Sequence, residues 1–359
     1  MDLIFRSMNP DEAPGLRKLA RKSFGPIEGW FVTKPEKAIV AVLDGKIVGG
    51  FMYEFEASGG MKIGIASFFF TDPAFQGQGI GKRLCEEGVR HLWSEGCDAL
   101  VTFVRDDNVA SWGAFEKNGF VLAGLPRLAR LLGLPGFAKL CVKSTYGLWS
   151  IGHDVYVALR DEKSTSLCKK GVGFRQIIAY IIINTIFLLP FAMFARYTFL
   201  ALAAVASVFL GMVLAGYLGT LFSKRRWHFR FTSGGGIMYL VINAAPRAFC
   251  PLIGNWYPDR YENTPKFRRD MAVNAIAVWV FLLGVAAAGA IASDSSVFLR
   301  YVSNIVPVLL VFRCLPVPVF ESSGFGRVFK WNKIVFGMLV AASVFLIVFG
   351  EYIPRPLGR

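Results

Sequence analysis

Thr71-Asp72-Pro73-Ala74-Phe75-Gln76-Gly77-Gln78-Gly79-Ile80-Gly81-Lys82-Arg83-Leu84 follows a nearly all-apolar run, Ile63 to Phe70, and opens a segment that reads as helix from Gly81 to about Glu95. Glycines at 77, 79 and 81 let the backbone turn sharply and approach a ligand closely. The first turn of the following helix presents N–H groups with no acceptor inside the helix, which suits a phosphate. The spacing also resembles a dinucleotide-binding fingerprint. That reading fails, because the strand before the loop is preceded by an antiparallel hairpin and no βαβ repeat surrounds it.

Working outward, residues 2–6 read as a short strand and 11–23 as a basic amphipathic helix. Ala38–Leu43 and Ile47–Tyr53 flank Asp44-Gly45-Lys46, and the Asp-Gly pair supplies the positive φ values of a tight hairpin turn. Ile63–Phe70 is apolar enough for a central strand. Ala99–Val104 is a further strand, Ala110–Asn118 a second helix, and Phe120–Ala123 with Asp154–Leu159 a final strand pair. The fold class is α/β: a mixed, mostly antiparallel sheet flanked by helices.

Several motifs then agree in order and spacing. Gln76-x-x-Gly79-x-Gly81, preceded by Thr71-x-Pro73, resembles the acyl-CoA pyrophosphate loop of the GNAT acetyltransferase superfamily. Asn108-x-Ala110 followed by Phe115-Glu116-Lys117-Asn118-Gly119-Phe120 resembles that family's second signature. Arg6-x-Met8 and Gly152-x-Asp154-x-Tyr156 fit its two ends, so the resemblance covers residues 1–162. It implies a GNAT fold, acetyl-CoA as co-substrate and no metal. It further implies that backbone groups of Phe70 and Thr71 hold the pantetheine arm and thioester. N–H groups of Gln76, Gly77, Gln78, Gly79, Ile80, Gly81 and Lys82 would hold the pyrophosphate, and Asn108 would reach the pantetheine side. Donors aimed at the thioester carbonyl stabilise the developing oxyanion, and holding amine and thioester together supplies further acceleration.

One departure bears on mechanism. Many members of that family carry a tyrosine that protonates the departing thiolate, where this chain has Phe115. A base must also take the proton of the attacking amine. Glu54 and Glu56, two apart at a strand end and so on one face, are the candidate catalytic residues. Glu28 and Glu116 are weaker candidates, and His91 and His153 read as surface residues. The long connection 124–145, rich in Leu, Arg and Lys, resembles an interfacial helix, with an ordinary amphipathic surface helix as the equal alternative.

Composition separates this half from the rest. The chain of 359 residues is 54% hydrophobic yet carries a formal charge of +15, and its mean hydropathy is +0.47. The six cysteines, Cys85, Cys97, Cys141, Cys168, Cys250 and Cys314, form no CxxC pair, which argues against a disulfide framework or structural zinc. Reduced thiols suit a cytoplasmic compartment, and the N-terminus has no signal-peptide pattern.

After a polar linker, 163–173, residues 174–359 read as an all-α polytopic membrane domain. About 20 apolar residues are needed to cross a bilayer. The expected spans are 177–195, 198–222, 271–292, 297–312 and 334–350. Residues 236–253, containing Asn243, Pro246 and Arg247, make a poor spanning helix and read as a re-entrant hairpin. The basic loops then share one side, which the positive-inside rule makes cytoplasmic, the side an acetyl-CoA enzyme needs. Charges beside apolar runs are topology signals rather than a nucleic-acid face, so the partners are acetyl-CoA, an amine acceptor and the lipid bilayer. Arg300 and Arg313 flank one span; an intramembrane ionisable group is a functional candidate, and snorkelling is the commoner case near span ends.

The membrane half faintly resembles the scaffold of site-2-type metalloproteases. Leu315-Pro316-Val317-Pro318-Val319-Phe320-Glu321 is similar to a degraded second metal motif. Ala215-Gly216-Tyr217-Leu218-Gly219, however, lacks the two histidines and glutamate of the zinc helix. The expected function is a membrane-tethered N-acetyltransferase acting at the cytoplasmic face. The alternative is an acyl-CoA-sensing regulatory protein with a non-proteolytic membrane domain.

Overall fold

The computed structural model describes residues 2–58, 60–105, 108–123, 125–143, 152–160, 173–189, 195–232, 236–245, 249–259, 262, 264–292, 295–315 and 324–350. The chain divides into two compact units between Lys170 and Gly171. Apart from Gly173, the 163–173 linker lies outside the described residues, as does Glu321 of the protease-like motif.

The first unit runs β1 (Leu3–Ser7), α1 (Ala13–Glu28), β2 (Lys37–Leu43), β3 (Lys46–Ser58), β4 (Met61–Thr71), α2 (Ile80–Ser94) and β5 (Ala99–Arg105). It continues with α3 (Val109–Lys117), β6 (Val121–Leu122), α4 (Leu125–Lys143) and β7 (His153–Leu159). The strands form one sheet in the order β1-β2-β3-β4-β5-β7-β6. Every pairing is antiparallel except β4 with β5, which α2 connects as a crossover. The Asp-Gly turn forms as expected: Asp44 and Gly45 take φ of 48° and 80°, and Leu43 pairs with Lys46.

Both sheet faces are covered. On one, Leu16 and Ala20 of α1 are buried with Val40, Met52, Phe68 and Phe70. On the other, α2 lies so close that a Cβ at Gly88 would sit 2.5 Å from the Phe51 ring, so only glycine fits there. Of the 124–145 segment, the structure describes 125–143. As α4 it packs on β3, with Leu128, Leu132 and Leu140 buried and Ser58 Oγ donating to Leu132 O at 3.3 Å. Among its described leucines only Leu134 is exposed, beside a kink where Gly133 has φ of 67°. Its apolar side had a sheet to bury against.

The second unit contains α5 (Phe174–Phe187), α6 (Thr198–Thr220), β8 (Trp227–Phe231), α7 (Gly236–Ala244), β9 (Gly254–Pro258) and α8 (Pro265–Ala292). Then come α9 (Val297–Cys314), α10 (Phe325–Trp331) and α11 (Lys333–Phe349). Three of its helices, α6, α8 and α9, are long and apolar enough to cross a membrane. α5 and α11 are apolar but have only 14 and 17 residues. The unit was expected to be wholly helical; β8 and β9 add a two-stranded antiparallel ribbon.

That ribbon bears on 236–253. Phe231 pairs with Gly254, so the chain leaves and returns at neighbouring points, with α7 on the way. Asn243 closes the return: its Nδ2 donates to Cys250 O (3.0 Å) and its Oδ1 accepts from Cys250 N (3.0 Å). Asn184 Oδ1 accepts from Leu252 N at 2.8 Å. These buried amides satisfy backbone groups that a non-helical segment leaves open.

Candidate functional site in the first unit

Strands β4 and β5 pair only from Ile63–Ala99 to Ala66–Thr102, yet both continue, to Thr71 and Arg105. Past Ala66 the two strands part and a cleft opens between them. Thr102 marks the fork, its hydroxyl donating to Ala66 O at 3.1 Å. Phe24, Ser67, Phe69, Arg105, Asn108, Ser111, Phe115 and His153 line the cleft.

The ladder decides which backbone groups face it. Asp72 N–H donates to Val48 O at 2.8 Å, making Val48–Asp72 and then Gly50–Phe70 the hydrogen-bonded pairs of β3 and β4. The amide of Phe70 therefore turns toward β3. Those of Phe69 and Thr71 turn away from β3, toward the opened side. Of the two positions expected to hold the arm, the Thr71 amide turns to the opened side and the Phe70 amide to β3.

Beyond β4, the loop is pinned at its start. Asp72, 3% exposed, accepts from Ala74 N (3.1 Å) and from Lys22 Nζ of α1 (3.2 Å). The Ala74 N–H first, and Lys22 after it, hold its carboxyl below the usual range. Gln76 Nε2 donates back to Thr71 O at 3.2 Å. Gly77 and Gly79 then take φ of 83° and 78°, a region that L side chains rarely adopt.

Gly79 is the residue before α2 and offers no side-chain cap. Arg83 N–H is the one that bonds back to Gly79 O (3.2 Å), so the N–H groups of Ile80, Gly81 and Lys82 have no acceptor in the helix. They point out of the helix N-terminus, where the macrodipole is positive. Gln76, Gly77, Gln78, Gly79 and Lys82 are exposed, whereas Ile80 is buried in the core. The next helix differs: Asn108 Oδ1 accepts from Ser111 N (3.3 Å) and caps α3. Asn108 thus lines the cleft while its oxygen serves the helix.

Phe115 is 2% exposed and packs against Phe51, Phe69 and Phe120 at centroid distances of 6.4, 5.9 and 5.1 Å. Position 115, where the resemblance led one to look for an acid, is part of an apolar wall. Neither Glu54 nor Glu56 is in the cleft lining. Glu56, with a side chain 10% exposed, pairs with Lys139 Nζ of α4 at 4.0 Å. Glu116 is also absent from the lining, and the Glu28 side chain lies outside the described ones.

His153 corrects the sequence reading. It is not a surface residue: it is 4% exposed, lines the cleft, and pairs across the sheet with Arg105. His91 is half-buried, with its Nε2 2.7 Å from the Tyr53 hydroxyl. Burial first, and Glu95 after it, raise the Tyr53 phenol. Cys85 is a buried thiol pushed up to about 12 by desolvation, which makes it inert as a nucleophile.

Residues 4–120 match the model of the Acetyltransferase (GNAT) family, and the first unit has the GNAT fold: a mixed sheet flanked by helices and opened between β4 and β5. Among curated proteins, mycothiol acetyltransferase of Saccharomonospora viridis is 29% identical over 30% of this chain and 35% of its own length. That of Catenulispora acidiphila is 32% identical over 26% of this chain and 30% of its own. The chain spans about a third of the length of these relatives. A solved structure, the ribosomal-protein-S18-alanine N-acetyltransferase from Escherichia coli, aligns over 48% of this chain and 100% of its own. Its identity is 16% and its TM-score 0.33.

Proposed function

We propose that the protein is an N-acetyltransferase that moves an acetyl group from acetyl-CoA to an amine at the cytoplasmic face of a membrane, with the second unit as its anchor. The observation that carries this is the uncapped start of α2, set against a cleft between parting strands. The amides of Ile80, Gly81 and Lys82 would take the pyrophosphate, with Gln76 to Gly79 shaping the loop. Thr71 and Phe69 would pair with the pantetheine arm, and Asn108 would flank it.

In this reading the amine attacks the thioester carbon, the oxyanion is held by backbone N–H groups, and the C–S bond then breaks. The departing thiolate is a good leaving group, so a phenylalanine at 115 is compatible with turnover. The base is His153, the titratable group of the lining other than Arg105. Glu54 and Glu56, the carboxylates expected for that role, lie outside the lining.

The spans would be α6, α8 and α9, extended by the shorter α5 and α11, with the loops holding Lys224 to Arg226, Lys266 to Arg269, and Arg327 to Lys333 on the cytoplasmic side. The protease-like ancestry of this half is a proposal from the sequence motifs alone. A second reading, an acyl-CoA sensor, is favoured by Phe115, because binding needs the loop but not the acid.

The full chain in detergent, titrated calorimetrically with acetyl-CoA and CoA and then given a panel of amines with a free-thiol readout, tests both. Binding with amine-dependent thiol release supports the enzyme. Binding with no release from any amine favours the sensor, and a folded chain that binds neither ligand refutes both.

A further inference from the structure

Helix α1 is followed at once by a short 3₁₀ turn, Gly29–Phe31. Gly29 is buried, and a Cβ there would lie 2.7 Å from Arg21 O, so only glycine lets the turn close on the helix. Val32 N–H donates to Gly29 O (3.2 Å), and Arg17 Nε donates to Val32 O (2.9 Å). Val32 is fully buried in the core with Leu16 and Ala20 of α1. Two buried residues thus clamp the turn. Trp30 and Phe31, the pair between them, are held outward at 80% and 51% exposure.

A lone exposed apolar side chain needs no explanation, but two adjacent aromatics on an anchored turn call for one. Ile4 and Leu134 are the other exposed large apolar side chains among the described residues of this unit. A tryptophan, with an apolar body and one N–H donor, suits the boundary between lipid and water.

The charge around the turn has one sign. Residues 13–35 contain five basic residues, Arg17, Lys18, Arg21, Lys22 and Lys34, and one acid, Glu28. The next acid, Glu36, is followed by Lys37 and adds no net charge with it. Lys18, Arg21, Lys22 and Lys34 are exposed, and Lys22 is tied to Asp72 at 3.2 Å. Lys18 and Arg21, three apart, share one side of α1. Arg21, Lys22, Gly25, Gly29 and Trp30 together line an open depression, so the aromatic protrusion and its cationic rim are one surface.

Basic residues beside tryptophan and phenylalanine make a surface that seats on an acidic bilayer. The rings enter the headgroup layer, and the cations meet lipid phosphates. We propose that the Trp30–Phe31 turn and the basic side of α1 dock the first unit on an acidic phospholipid surface. The inference rests on the membrane-anchored reading above and adds the face by which the transferase unit meets that membrane. Phe24 lines the cleft and Gly25 the depression. Docking therefore sets the α1 edge of the cleft beside the headgroups, which favours an acceptor amine presented at the bilayer surface.

The full chain carrying Trp30→p-benzoylphenylalanine is reconstituted into nanodiscs of phosphatidylcholine, alone or mixed with phosphatidylglycerol, and irradiated. Mass spectrometry reads what the side chain captures. Lipid adducts should form, and phosphatidylglycerol should raise their yield. Lys18→Gln, Arg21→Gln and Lys34→Gln combined should cut that increase by about fivefold or more, the effect of one cation near an acidic surface being about that size. Wild-type hydrogen exchange gives a second readout free of substitutions: phosphatidylglycerol should slow exchange in 17–34.

Adducts confined to the chain itself or to a second copy overturn the proposal. So does a lipid yield that is the same in both compositions and unmoved by the glutamine variant, or protection confined to other segments. A chain that stays soluble without detergent and enters no nanodisc refutes the anchor of the proposed function. Vesicle flotation of that soluble chain then decides the patch separately: wild type should float with phosphatidylglycerol vesicles and the glutamine variant should not, and failure of wild type to float overturns the docking.

Discussion

Gly79→Ala tests the loop most directly. Gly79 has φ of 78°, and a Cβ built there meets nothing within 4 Å. The cost of the substitution is therefore conformational rather than a clash, about 1–2 kcal/mol for an L residue held in the left-handed region. If the unliganded loop keeps its shape, the first unit loses about that much stability, a fall in Tm of roughly 2–4 °C per kcal/mol for a unit of this size. If the loop relaxes instead, stability is spared and ligand binding must restore the strained shape. The affinity for CoA then falls about 5- to 30-fold, the equilibrium factor that corresponds to 1–2 kcal/mol.

The assay is calorimetric titration of the full chain with CoA, beside a thermal melt. Acetyl-pantetheine, which has the arm and thioester but no pyrophosphate, serves as a second ligand. Its binding should match wild type, because Gly79 adjoins the helix N-terminus and not β4. Equal weakening of both ligands would refute the assignment of this loop to the pyrophosphate. Unchanged stability together with unchanged CoA affinity would refute the argument from φ.

Three further outcomes are expected. His153→Asn should lower kcat by about 10²-fold or more, as loss of a general base does, with the KM for acetyl-CoA unchanged. Glu54→Gln and Glu56→Gln should leave more activity, and the reverse ranking in steady-state kinetics would move the base to β3. Phe115→Tyr places a hydroxyl on the cleft wall. Thiol release should speed up if protonation limits the rate, and a melt should show a cost of about 1–3 kcal/mol if the new group finds no partner. The Arg6–Glu12 pair, with its oxygen and nitrogen at 2.6 Å, sets an acid limb. The hydrogen bond from Arg6 is the main cause holding the Glu12 carboxyl at about 2 in the folded chain, below its ordinary 4.5. Because the folded value is the lower one, this stabilisation is complete above about 4.5 and disappears as pH falls toward 2. Glu12→Gln should cost about 1 kcal/mol near pH 7, a figure discounted because Arg6 is partly exposed, and nothing near pH 2 in pH-dependent melts.

Sequence alone determined the first unit in outline. Alternating apolar runs, an Asp-Gly turn and glycines ahead of a helix are local signals, because pleat, turn and helix start each depend on a few adjacent residues. They carried the strands, the hairpin and the exposed loop before any tertiary contact was considered. They also separated the two halves, since spanning length and loop charge are properties of a continuous stretch. What lay between elements far apart in sequence was not legible. The amide of Phe70 turns away from the cleft because one bond, Asp72 to Val48, sets the parity of the β3–β4 ladder. His153 is buried because β7 pairs with the far end of β5. The 124–145 helix looked interfacial because its leucines need an apolar surface, and only the fold supplies β3 as that surface. Arg313, near a span end in sequence, is buried against Gly324 because α9 and the start of α10 come together. Register, burial and long-range pairing belong to the packed chain, and no window of sequence contains both partners.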